Sequence, residues 1–184
     1  MSWTRVAIAS AIFEALLITG CSWSTHSTTL LRDGSSSAGQ VIYRISEETA
    51  FTTALDAYAV RYPKQSVDDI VDGDRRGYNA DERFGTGDSW HHRILVVPAI
   101  GIDANGNEVR GYWYDYSGGG TMRPTPERIA GLLQFIRAQL DATGTPVVVT
   151  SLRDGKYETD GKAYLGLKRD ARDIRPGARP PGEK

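Results

Sequence analysis

Hydrophobic and polar positions follow two periods along this chain, and their alternation predicts the elements. Val41 to Ile45 (VIYRI) is a β-branched and aromatic run, a strand by propensity. Ser46 then stands as a helix N-cap. Glu47 and Glu48 suit the positive end of a helix dipole. Phe51, Leu55, Tyr58 and Tyr62 recur at i, i+4, i+7 and i+11, which is one helical face, and Pro63 stops it. Residues 63–89, rich in Asp, Gly and Arg, show no sustained period. A helical turn over Val67 to Val71 inside a long, functional loop is the expectation.

Trp90 to Ile102 contains RILVVPAIGI, apolar on both faces, and reads as a central strand. Its Pro98 must mark a bulge or the point where pairing stops. Asp103 to Gly106 is a turn, and Glu108 to Ser117 alternates as the second strand of a hairpin. Gly118 to Gly120 is expected to be a flexible exit from that strand. Thr125, Pro126 and Glu127 open a second helix. Its stripe is Ile129, Leu132, Leu133, Ile136 and Leu140, and Gly144 ends it. Thr145 to Ser151 is a further strand, and Lys162 to Leu167 is a candidate fifth. The order β-α-β-β-α-β predicts an α+β, ferredoxin-like fold: an antiparallel four-stranded sheet with two helices on one face.

The amino terminus differs from the rest. Val6 to Thr19 is mainly apolar but too short to span about 30 Å of hydrocarbon. Leu17, Ile18, Thr19, Gly20 and Cys21 follow, and Cys21 is the only cysteine in the chain. This segment resembles the lipobox of bacterial lipoproteins. The resemblance implies a signal peptide over residues 1–20 and a lipid, diacylglycerol with a further acyl chain such as palmitate, on Cys21. Ser22, rather than Asp, implies sorting to the cell outer membrane, with the protein facing the periplasm. Nine of the nineteen residues from Ser22 to Gln40 are Ser or Thr. Residues 21–40 are therefore expected to be the lipidated cysteine and a flexible tether spanning about 24 Å. A single α+β domain over 41–167 and a basic, Pro-containing tail over 168–184 complete the organisation.

Composition narrows the function classes. The chain has 184 residues, and 22 basic residues against 23 acidic ones leave a net charge of −1. That balance excludes a whole-protein electrostatic case for nucleic acid. One cysteine excludes an internal disulfide and a cysteine-clustered zinc site.

Several short patterns resemble chemical sites. His91-His92 suggests a metal, yet adjacent strand residues point to opposite faces, so two imidazoles there do not share one ion. Gly87-Asp88-Ser89 resembles the block of GDSL-type esterases, but no histidine follows His92 to complete a triad in that family's order. Asp103 to Glu108 resembles a fragment of a calcium loop, and a hairpin turn accounts for it. No catalytic residue, cofactor or metal ligand is assigned.

Tyr112, Tyr114 and Tyr116 alternate along their strand and share one face. With Arg110 they form the candidate binding surface, suited to stacking on sugar rings or gripping a peptide. The expected role is a non-enzymatic binding or assembly module, attached to the membrane through lipid on Cys21 and meeting an envelope protein or cell-wall partner. One alternative is an envelope enzyme on cell-wall or lipid substrates, with Asp, Arg and His supplied from region 63–92. Another is an immunity or inhibitor lipoprotein whose acidic loop (Asp68, Asp69, Asp72, Asp74) faces a basic active site.

Overall fold

A computed structural model describes residues 24–29 and 40–169. Cys21 and the signal segment, like the end of the basic tail, lie outside the described residues. Seven strands and two helices follow one another as β1 (Ser24–Thr29), β2 (Gln40–Tyr43), α1 (Glu47–Arg61), β3 (Val67–Asp72), β4 (Arg75–Phe84), β5 (Asp88–Asp103), β6 (Glu108–Gly120), α2 (Pro126–Thr143) and β7 (Pro146–Asp154). A single 3-10 turn, Lys162–Tyr164, lies beyond β7.

All seven strands join one antiparallel sheet in the order β1-β6-β2-β7-β5-β4-β3, with β5 and β6 also paired along their lengths. The architecture is α+β, but the expected four-stranded ferredoxin-like sheet is not what forms. Three physical reasons account for the difference. Residues 63–89, expected to be a long loop with a helical turn over Val67 to Val71, instead carry a hairpin, β3 against β4, turning at Gly73, whose φ is +58°. Its charged residues concealed a clean alternation, with Arg76, Tyr78, Ala80 and Glu82 all buried on one face. Second, Ser24–Thr29, inside the stretch read as tether, pairs with Asp115–Gly120 as an edge strand, because β6 leaves a free ladder there. Third, β7 pairs with both β2 and β5. The strands β5, β6, β2 and β7 thereby close into a ring.

Pro98 sits where β5 changes partners. One edge of β5 carries β4 from Asp88 to Val96 and β7 from Ala99 to Asp103. Pro98 has no N–H to offer at that handover, and its carbonyl accepts from Gly155 N–H at 2.8 Å. Inside the ring is a small core of Ile42, Ala99, Val109 and Val149. Gly111 is required where β2 meets β6. A Cβ there would fall inside van der Waals contact of the Tyr43 carbonyl and the Ile42 side chain.

The larger core lies between the other end of the sheet and both helices. Ser46 caps α1, its Oγ accepting from Thr49 N–H at 3.1 Å. Ala50, Ala54 and Ala57 let α1 settle closely, so Phe51, Leu55 and Tyr58 are fully buried. The helix α2 buries Ile129, Leu132, Phe135, Ile136 and Leu140, so Phe135 joins the expected stripe and Leu133 only packs at its margin. Gly118–Gly120 is not an exit. It continues β6 opposite Trp90–His92, and Gly118 is needed because the Trp90 indole lies across it. The expected fifth strand near 162–167 is the 3-10 turn, fastened by Tyr164 stacked on Phe51 with ring centroids 5.1 Å apart.

Candidate functional site

The alternation of β6 does set Tyr112, Tyr114 and Tyr116 on one face, and that face lies beneath the helices. Tyr114 and Tyr116 are 0% exposed, and Tyr112 is nearly so. Each hydroxyl is engaged inside the protein. Tyr112 donates to Glu47 Oε2 at 3.0 Å, Tyr114 to the Ala50 carbonyl at 2.8 Å, and Tyr116 meets His92 Nδ1 at 3.1 Å. Burial raises the pKa of all three phenols. The row of tyrosines is therefore core, which corrects its reading as an open docking surface. Arg110 is exposed, one end of the row away from that core.

The two histidines part as adjacent strand residues should. His91 is half-exposed, with Nδ1 2.5 Å from Asp81 Oδ1 on β4. His92 points the other way and is 0% exposed. Its Nε2 lies 2.9 Å from Glu82 Oε2, while Arg128 on α2 forms an ion pair with the other oxygen of Glu82. Glu82 is itself only 3% exposed. Burial lowers the His92 pKa. The Glu82 hydrogen bond opposes that shift, but Arg128 already balances the carboxylate, so no second cation is demanded. Neutral His92 then donates from Nε2 to Glu82 and accepts the Tyr116 hydroxyl proton at Nδ1, a tautomer fixed by its two partners.

This Glu82–His92–Tyr116 chain has the connectivity of a relay. Its imidazole, however, is sealed by the Tyr62 ring, whose centroid is 4.6 Å away. Tyr58 closes it further by donating to the His92 carbonyl at 2.8 Å. A group with no exposed surface cannot touch a substrate, so the chain organises the core. Among the described residues no group of three His, Cys, Asp or Glu side chains could hold a metal ion. The calcium-like segment is an Asx turn, in which Asp103 Oδ1 accepts from Asn105 and Asn107 N–H at 2.8 and 2.9 Å. The acidic residues of the supposed inhibitor loop are dispersed on and beside β3. Asp72 pairs with Arg93, and Asp69 accepts from Gly166 N–H at 2.6 Å.

An open concavity lies elsewhere. A cleft of about 460 Å³ lies where β2 leaves β6 and the chain emerges from β7. Ile45, Pro98 and Tyr112 line it together with Arg110, Arg153, Lys156, Asp154 and Glu158. Two members of the expected binding surface, Arg110 and Tyr112, thus line it, whereas Tyr114 and Tyr116 do not. Glu108 bridges the two guanidiniums, at 2.9 Å from Arg110 and 3.6 Å from Arg153. Asp154 is taken by Arg75 at 2.7 Å. Lys156 is exposed.

The far wall of the cleft is held by the segment after β7. Glu47, buried at the first turn of α1, accepts from Glu158 N–H at 2.5 Å, from Thr159 N–H at 3.3 Å and from the Thr159 hydroxyl. Tyr157 donates to the Val96 carbonyl at 2.5 Å and accepts from Arg76 N–H at 2.8 Å. Its pKa is pushed up to about 12, chiefly by burial. The sequence signal for this wall was slight: Glu47 read only as a helix-start carboxylate, with nothing marking 157–159 as its partner. Comparison with known protein families, with curated proteins and with solved structures finds no significant match.

Proposed function

We propose that this protein is a lipid-anchored cell-envelope binding module that engages an anionic group of an envelope partner in the Arg110–Arg153–Lys156 cleft. The observation that carries the reading is the convergence of three exposed cationic side chains, outnumbering the carboxylates of Asp154 and Glu158, around one concavity that also takes in Ile45, Pro98 and Tyr112. Cations at a concave, partly apolar site attract an anion and orient what carries it. Arg110 and Arg153 offer planar donors that exchange Glu108 for a carboxylate or phosphate of the partner. The lipobox resemblance at Cys21 supports the anchor and its outer-membrane, periplasm-facing placement. Against the enzyme alternative stands the burial of His92, the histidine that alternative most needed.

A photo-crosslinking residue placed at Lys156 tests the proposal in intact envelopes. A discrete adduct is expected, lost on Arg153→Glu and absent when the same residue replaces exposed Asp68 on β3. An adduct equally strong at Asp68, or indifferent to Arg153→Glu, would sink it.

A further inference from the structure

The edge strand β1 changes what a lipid on Cys21 would do. Ser24 opposes Gly120, and β1 runs antiparallel to β6 from there. Cys21 precedes Ser24 by three residues, a reach of at most about 11 Å at full extension. A flexible tether would have left the domain free to tumble. A strand beginning this close to a lipid on Cys21 would hold one end of the sheet against the bilayer.

That end has a definite surface. The Thr121 and Met122 N–H groups both approach the Ser89 carbonyl, at 3.0 and 3.4 Å, so the residues after Gly120 sit beside the start of β5. The turn between Phe84 and Asp88 lies alongside, and Arg128 stacks over the Phe84 ring at 5.8 Å. Met122 is 47% exposed, one of four large hydrophobic side chains left open among the described residues. Arg123 follows it in the chain and Arg83 lies opposite Ser89, whose carbonyl Met122 N–H approaches; both arginines are exposed, as is the carboxylate of Asp88 in that turn. An exposed thioether near cations is the chemistry that rests at an anionic lipid surface, with its apolar part among acyl chains and its charges at headgroups.

We infer that the Met122 tip, formed by residues 83–88 and 121–123, seats on the anionic phospholipid surface beside the anchor. This rests on the lipid-anchor reading, and it deepens it. The cleft around Arg110 lies ten residues back along β6, about 33 Å from the bilayer end at strand rise. The seated domain therefore displays its cleft outward.

The test uses the mature lipoprotein extracted from membranes and reconstituted into phosphatidylglycerol–phosphatidylethanolamine vesicles. Intact mass first reports whether Cys21 carries acyl chains, which tests the anchor separately. If it does not, the single thiol is coupled to a maleimide lipid, and the orientation is measured all the same. An environment-sensitive non-canonical amino acid is placed at position 122 and, in a second preparation, at Asn105 in the opposite turn. Headgroup-labelled nitroxide lipid should quench the probe at 122 at least fivefold more than the probe at 105. Equal quenching at the two positions, in either the acylated or the coupled protein, overturns the seating.

Discussion

Replacing Tyr114 separates a core tyrosine from a docking tyrosine, and the structure fixes the size of each effect. The ring is wholly buried among α1, α2 and β6, in the main core. Truncation to Ala removes the aromatic ring and leaves a void that the packed helices only partly fill. Such changes cost about 3–5 kcal/mol. Tyr114→Phe removes only the hydroxyl, which donates to the Ala50 carbonyl at 2.8 Å. That carbonyl also lies within α1 and keeps its helical partner, so no acceptor is orphaned. The loss should be one neutral hydrogen bond, about 0.5–1.5 kcal/mol. Urea unfolding of wild type, Tyr114→Phe and Tyr114→Ala gives both numbers from one assay. The two variants should bracket a ring contribution of roughly 2–4 kcal/mol with the cooperativity index m unchanged. A Tyr114→Ala protein within about 1 kcal/mol of wild type would refute the helix-covered placement of this face.

Two further perturbations probe the buried charges. The folded-state pKa of His92 is depressed, so below the unfolded value near 6.5 the unfolded chain binds a proton that the folded protein refuses. Stability should therefore be full above pH 6.5 and fall as pH drops toward the folded pKa. His92→Gln should flatten that slope in melts from pH 7.5 to 5, and an unchanged slope would locate the titration elsewhere. Glu47→Ala strips the acceptor from Tyr112, Glu158 and Thr159 and should cost roughly 2–4 kcal/mol, since bonds to a buried charge are the strong ones. Hydrogen exchange should show amides 158–159 losing protection before the β5–β6 ladder does, and retained protection there would defeat the account.

Local chemistry made part of this fold legible, and distant pairing concealed the rest. Ser46, Pro63, Pro126 and Gly144 bound their helices because capping and proline geometry act within a turn. Pro98, expected to mark a bulge or the point where pairing stops, does lie where the pairing with β4 stops, but its pairing with β6 continues through Tyr112 and the register shift falls at Ile102–Asp103 instead. The β3–β4 hairpin was hidden because its inward residues include Arg76 and Glu82. Arg76 bonds the Gly73 carbonyl at 2.7 Å, and Glu82 meets Arg128 and His92, so charges occupy positions where a pattern reader expects Val or Ile. The polar sequence STHSTT gave no sign of β1, because an edge strand gains its ladder from β6 and needs little apolar surface of its own.

The candidate site divides along the same line. Arg110 and Tyr112 could be named from strand alternation, but whether Tyr112 faced solvent or helix depended on which side α1 and α2 cover, and a period of two cannot choose a side. Arg153 and Lys156 join Arg110 only because β7 crosses from β2 to β5 and closes the ring, a contact between residues more than forty positions apart. The closure itself requires Gly111, where β2 and β6 come within touching distance of backbone to backbone. The ring core of four small and branched side chains is thin, so its strands depend on the segment after β7 being fastened. Glu47 and Tyr157 provide that fastening from the main core. The wall of the cleft and the stability of the helix-covered core are therefore coupled through one carboxylate at the start of α1, and anything that ties down residues 155–159 from outside should be felt in the fold as a whole.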